Sequence, residues 1–223
     1  MSTTPETDPS RPAVPTPPAR PSTVGEPAVP NTPTRRLARL ITDLLAPVHL
    51  VIALLPVIGL RSGDGLDGLV RTLPAVVFCG GLPLLVVLVG IRRGVWSDRH
   101  VRVREQRAVP LLITLGSVLV GLGVSAALGT PRPVLALIVA MVTGLLVTIA
   151  VTAWWKVSVH AAVAAGATAA LIVEFGAPAW ALLPVTAAIG WSRVVLRDHT
   201  PAQVMVGTVL GFAVAASVFA LLR

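Results

Sequence analysis

The sequence predicts an all-α fold: a polytopic bundle of about six to seven transmembrane helices behind a disordered N-terminal tail. Three observations lead there. First, 54% of the residues are hydrophobic and only 13% charged, with mean hydropathy +0.83, where soluble domains carry roughly 25% charged residues. Second, the apolar residues come in runs close to the ~20 needed to cross a ~30 Å hydrocarbon core as helix. The ~10-residue alternating segments of a membrane β-barrel are not seen. Third, the composition changes abruptly near residue 34, dividing the chain into a tail, 1–34, and a membrane domain, 35–223.

The tail holds most of the prolines together with Ser, Thr and Glu, and almost no large apolar side chain. Such a stretch cannot bury enough surface to offset its ordering entropy. A signal peptide needs a basic start followed directly by an apolar core. The first apolar core here arrives only near Leu44, which predicts that the tail is retained. Spans are then expected at 44–60, 69–91, 109–129, 133–153, 157–175, 177–191 and 203–222, the short sixth one accommodated by tilt or local thinning. Small residues within them (Gly121, Gly123, Gly166, Gly207, Gly211 and the alanines 161, 162, 164, 165 and 169) allow close helix approach.

The net charge of +8 does not indicate nucleic acid. The bases sit in short loops between apolar runs, and the 4% aromatic content, with no Tyr, offers no stacking platform. Counting crossings puts twelve Lys and Arg residues on the face with the tail end and loops 92–108, 154–158 and 192–202. Four (Arg61, Arg71, Arg132, Arg223) fall on the other. Positive residues concentrate on the cytoplasmic side, so the sequence predicts a multi-pass cell-membrane protein with the first face cytoplasmic. Arg92, Arg93, Arg102 and Arg104 read as headgroup anchors, and Trp154, Trp155 and Trp191 as an aromatic belt. Cys79, alone in an apolar run, reads as a small buried hydrophobe.

Ionisable residues at the membrane face are expensive and mark function. Three segments carry them on one face: 97–107, 156–160 and 192–199. They contain three of the four histidines; the fourth, His49, reads as packed or interfacial. Histidines with several arginines suit phosphoryl chemistry. Guanidinium forks match phosphate oxygens, one neutral histidine attacks phosphorus, and a second protonates the leaving oxygen. The acids do not cluster as Mg²⁺ demands, so no metal or other cofactor is expected.

Ser192-Arg193-x5-His199 resembles the third motif of the type-2 phosphatidic acid phosphatase superfamily, S-R-x5-H-x3-D. Lys156-Val157-Ser158-Val159-His160 resembles its second motif, P-S-G-H, with Ser158 and His160 in register. Arg107 matches the arginine of the first, K-x6-R-P, with His100 at the lysine position and Ala108 at the proline. The resemblance covers roughly residues 98–215. It implies His199 as the nucleophile that becomes phosphohistidine and His160 as general acid. Arg193 and Arg107 bind phosphate oxygens and Ser158 adds a donor, with Lys156, His100 and Gln203 completing the substrate site. The substrate it implies is a lipid phosphate or isoprenoid (di)phosphate, cleaved without metal. Two departures stand out: Gln203 replaces the family's carboxylate, and Val159 its glycine. On one continuous helix Arg193 and His199 lie about 120° apart. Thr200-Pro201, a capping residue before a first-turn proline, instead predicts a helix starting just after His199.

Gln203 favours an alternative, a catalytically impaired relative that binds anionic lipid headgroups. An intramembrane prenyltransferase, suggested faintly by Asp98 and Arg107, lacks two aspartate-rich motifs. A transporter lacks a repeated pair of broken helices.

Overall fold

In the computed structural model the described residues are 32–62, 65–93 and 108–223, and all fall within a unit running from Thr32 to Arg223. The described residues include the last three of the tail expected at 1–34; the rest of that expected tail lies outside the described residues. Among the described residues every regular element is helical. The chain forms α1 (Pro33–Leu44), α2 (Pro47–Arg61), α3 (Leu66–Val76), α4 (Leu82–Arg92), α5 (Ala108–Ala127), α6 (Arg132–Trp154), α7 (Val159–Phe175), α8 (Leu183–Val195) and α9 (Pro201–Leu222). A π-helical stretch, Val77–Gly81, joins α3 to α4, and a 3-10 turn, Ala177–Leu182, leads into α8.

The α3–α4 unit, α5, α6 and α9 are each long and apolar enough to cross a bilayer, and α1 with α2, bent by 46° at their junction, qualify together as a fifth. The apolar segment expected at 157–175 is α7, of 17 residues. The one expected at 177–191 is the 3-10 turn followed by the 13 residues of α8. The sequence reading did not anticipate α1. Thr32 caps it by accepting from the Arg35 amide, and it packs on α8.

The core is formed by Leu55, Ile58, Val118, Val134, Ile138 and Phe219, all fully buried, from α2, α5, α6 and α9. Trp154, Trp155 and Trp191 face outward, as an aromatic belt requires. Among the described helices, α7 and α9 share the most extensive packing. A Cβ at Gly207 would lie 2.6 Å from the Ser158 carbonyl oxygen, and one at Gly211 would overlap the Ala162 backbone. Only glycine permits this approach, which is the packing role expected of small residues. Gly123 differs: a Cβ there meets nothing within 4 Å.

Polar contacts mark two ends of the bundle. At one, Thr130 donates to the Arg71 carbonyl, Arg132 to the Leu222 carbonyl, and Arg223 pairs with Glu174 at 3.1 Å. At the other lie segments 156–160 and 192–199, joined by the Lys156 bond to the Asp198 carbonyl.

Candidate functional site

The site is built on the turn between α8 and α9. Helix α8 ends in a Schellman motif: the Arg197 amide donates to the Val194 carbonyl at 2.9 Å and the Asp198 amide to the Arg193 carbonyl at 3.1 Å. The residue between helix and exit takes the left-handed conformation in such motifs, usually glycine. Here it is Arg197, at φ 59°, a conformation that costs a non-glycine residue about 1 kcal/mol. The His199 amide also points at the Arg193 carbonyl, at 3.3 Å. The turn therefore folds His199 back over Arg193, and the x5 spacing is the length this turn needs.

Helix α9 then begins as its sequence predicts. Thr200 is the N-cap, Pro201 the first helical residue, and Gln203 closes a capping box. The Gln203 amide donates to Thr200 Oγ1 at 3.3 Å, and Gln203 Oε1 accepts from the Thr200 amide at 3.2 Å. The same Oε1 lies 3.3 Å from His199 Nδ1. A backbone N–H can only donate, so the oxygen end of the Gln203 amide faces it. Nδ1 of His199 must then carry a proton to reach that oxygen, which leaves the lone pair of the neutral ring on Nε2. The amide at position 203 thus sets the tautomer in which Nε2 can act as nucleophile.

Arg193 is 1% exposed and is gripped from two sides. Nη2 lies 2.9 Å from Asp198 Oδ2, and Nη1 donates to Thr42 Oγ1 at 3.4 Å. The Thr42 and Ser192 hydroxyls are 2.9 Å apart, and Ser192 donates to the Ile189 carbonyl at 2.7 Å. With the Ser192 proton so used, the chain runs one way: Arg193 to Thr42, Thr42 to Ser192, Ser192 to Ile189.

The second motif docks onto this frame. Ser158 caps α7 by accepting from the Ala161 amide, and its own amide donates to the Gln203 carbonyl at 3.2 Å. Lys156 Nζ donates to the Asp198 carbonyl at 2.7 Å. His160 follows in the first turn of α7 and is 8% exposed.

Arg193, His160 and His199 line one cavity of about 330 Å³. The structure thus brings together the three residues that the sequence nominated for chemistry. Lys156, Ser158 and Gln203 stand behind them, bracing the turn and the helix start. Arg107 and His100 lie outside the described residues. Among the described residues no three of His, Cys, Asp and Glu gather as a metal site would need.

Three residues escaped the sequence reading. Asp198, given no role from the sequence, is the ion-pair partner of Arg193 because α8 has already ended at Val195. Thr42 belongs to a segment read only as basic flank, and no local signal tied it to a residue 151 positions later. His49, read as packed or interfacial, also lines the same cavity. Its Nδ1 donates to the Leu44 carbonyl at 3.1 Å across the α1–α2 break.

Comparison with protein-family models, curated proteins and solved structures finds no match to this chain.

Proposed function

We propose that the chain is an integral membrane phosphatase that hydrolyses a lipid phosphate or polyprenyl (di)phosphate through a phosphohistidine on His199. The observation that carries this reading is the convergence of Arg193, His160 and His199 on one cavity, with Gln203 holding His199 in the tautomer whose lone pair is on Nε2. Arg193 binds the phosphoryl oxygens. The Nε2 lone pair attacks phosphorus, the bond from phosphorus to the ester or bridging oxygen breaks, and His160 gives its proton to that oxygen. A water then attacks the phosphohistidine, passing a proton to His160 as the phosphorus–nitrogen bond breaks and phosphate leaves. The resemblance to the type-2 phosphatidic acid phosphatases supports the same roles and carries Arg107 and His100 as further phosphate ligands.

In this reading α7 and α8 complete a bundle of six to seven spans. The site faces the cytoplasm of the cell membrane, in line with the excess of basic residues on that face. Impermeant labelling of cysteines introduced for Ser97 and Asp64 in a Cys79→Ala background tests the orientation: in intact cells position 64 labels and position 97 does not. The opposite pattern reverses the orientation.

The neutral Gln203 favours a second reading, a headgroup binder without turnover. Phosphate release by purified protein from a panel of lipid phosphates in detergent separates the two. His199→Ala is expected to abolish release while holding lipid-phosphate affinity within about tenfold. Release by wild type at the uncatalysed rate from every lipid refutes the phosphatase and leaves the binder.

A further inference from the structure

The cavity that holds Arg193 and both histidines does not end with them. It continues between the helices as an apolar slot, reaching Val118 on α5, Leu137 on α6 and Ala215 on α9. The three helices that bound its length agree on direction. Its wall runs from Thr148 back to Leu137 on α6, from His160 to Ala167 on α7, and from His199 to Ala215 at α9. At 1.5 Å per residue the eleven steps on α6 span about 16 Å. One leaflet of a ~30 Å hydrocarbon core is about as deep. Taking a methylene as similar in size to a water molecule, ~30 Å³, about 330 Å³ holds on the order of ten chain carbons.

We infer that this slot seats one hydrocarbon chain of the substrate, and hence that the site selects single-chain lipid phosphates, alkyl or isoprenoid, over two-chain ones. The inference rests on the phosphatase reading only in assigning phosphate to the polar end. Charge argues for that assignment: the basic and histidine side chains stand at one end of the wall, and the far end, at Val118, Leu137 and Ala215, is apolar. Entry of a chain from the bilayer exchanges one apolar surrounding for another, so the slot contributes little hydrophobic driving force. Its effect is positional: a chain lying along the α6 wall fixes the depth at which the phosphate meets His199. A second chain finds no room and must remain in the bilayer, pulling the headgroup off this axis.

Gly144 gives the means of testing it. It lies on the slot wall four residues from Thr148, and a Cβ added there meets no atom within 4 Å. A large side chain at 144 therefore enters the slot about 6 Å beyond Thr148 rather than the surrounding helices.

The experiment uses the full chain in detergent with twelve-carbon and four-carbon monoalkyl phosphates, the longer one bearing a photoreactive diazirine on its last carbon. In wild type, cross-links are expected on the peptides containing Val118 or Leu137. Gly144→Phe should weaken binding of the twelve-carbon probe at least tenfold while holding the four-carbon probe within twofold. That second value also reports that the variant is folded; if Gly144→Phe fails to fold, Gly144→Leu takes its place. Wild type should prefer the single-chain probe over a two-chain phosphatidic acid by at least tenfold. Cross-links confined to the lipid-facing surface around Trp154 or Met205, or equal binding of the long probe by wild type and variant, overturn the slot. Deep cross-links without phosphate release from any lipid support the slot and refute the phosphatase.

Discussion

Gln203 is the residue on which the two readings of the site divide, and its geometry allows the effect of changing it to be worked out. Its Oε1 accepts from the Thr200 amide at 3.2 Å and stands 3.3 Å from His199 Nδ1. Gln203→Leu removes both bonds. The capping bond contributes about 1 kcal/mol to the start of α9, and the bond to His199 about 1 kcal/mol to holding the reactive tautomer. The variant should therefore lose stability by about 1 kcal/mol and turn over roughly five- to tenfold more slowly. Gln203→Glu has the same reach, and capping boxes accept either residue. It keeps both acceptors while adding a charge in the first turn of a 22-residue helix, which stabilises by about 0.3–1 kcal/mol. A bond to a charged acceptor exceeds a neutral one by about 1 kcal/mol, and imidazolium character develops as Nε2 of His199 attacks phosphorus, so turnover should rise about fivefold where that attack limits the rate. Gln203→Asp restores the carboxylate of the resembled motif but is one carbon shorter, and should gain less than the glutamate. The assay is phosphate release at saturating lipid phosphate, with melting temperature measured alongside. If wild type turns over and the Leu and Glu variants both stay within twofold of it, the contact between Gln203 and His199 does not orient the nucleophile.

Asp198→Asn leaves the Arg193 charge, buried to 1% exposure, without its ion-pair partner. A loss of 3–5 kcal/mol is typical of a broken buried pair and should appear as a lowered denaturation midpoint; an unchanged midpoint would mean the pair carries no structural weight. Gly211→Ala forces α7 and α9 apart because a Cβ overlaps the Ala162 backbone, and should cost about 1–3 kcal/mol. Gly144→Ala, with open space at its Cβ, should not lower the midpoint, and equal losses in both variants would contradict the packing account. Because Arg193 and the histidines perform the proposed step, phosphate release should survive excess EDTA, whereas activity lost in chelator and restored by Mg²⁺ would refute that chemistry.

The helical class and most apolar segments were legible because each is a local property: a run of apolar residues of sufficient length declares itself wherever it lies. The start of α9 was legible for the same reason, since Thr200 and Pro201 spell a capping signal in adjacent positions. What escaped depends on contacts between distant segments or on a turn with an unusual residue. Glycine commonly marks the exit of a Schellman motif, but Arg197 occupies that position here, so although a break before Pro201 was expected, nothing in the sequence announced the turn that follows Val195 and folds Asp198 back onto Arg193. Thr42 and His49 depend on α1 packing against α8 and on the bend before Pro47, and neither leaves a periodic trace in the sequence. The consequence is that the three nominated residues were visible as a motif, while the parts that hold them were not: a hydroxyl chain from α1, an internal carboxylate and a capping amide. Each of these holds Arg193 or His199 in orientation, so substitutions there should alter geometry before they alter the chemical groups. Parallel measurements of phosphate affinity and turnover in Thr42→Val would make that distinction. A positioning role predicts weaker binding of phosphate by Arg193 with the rate of the bound complex nearly unchanged.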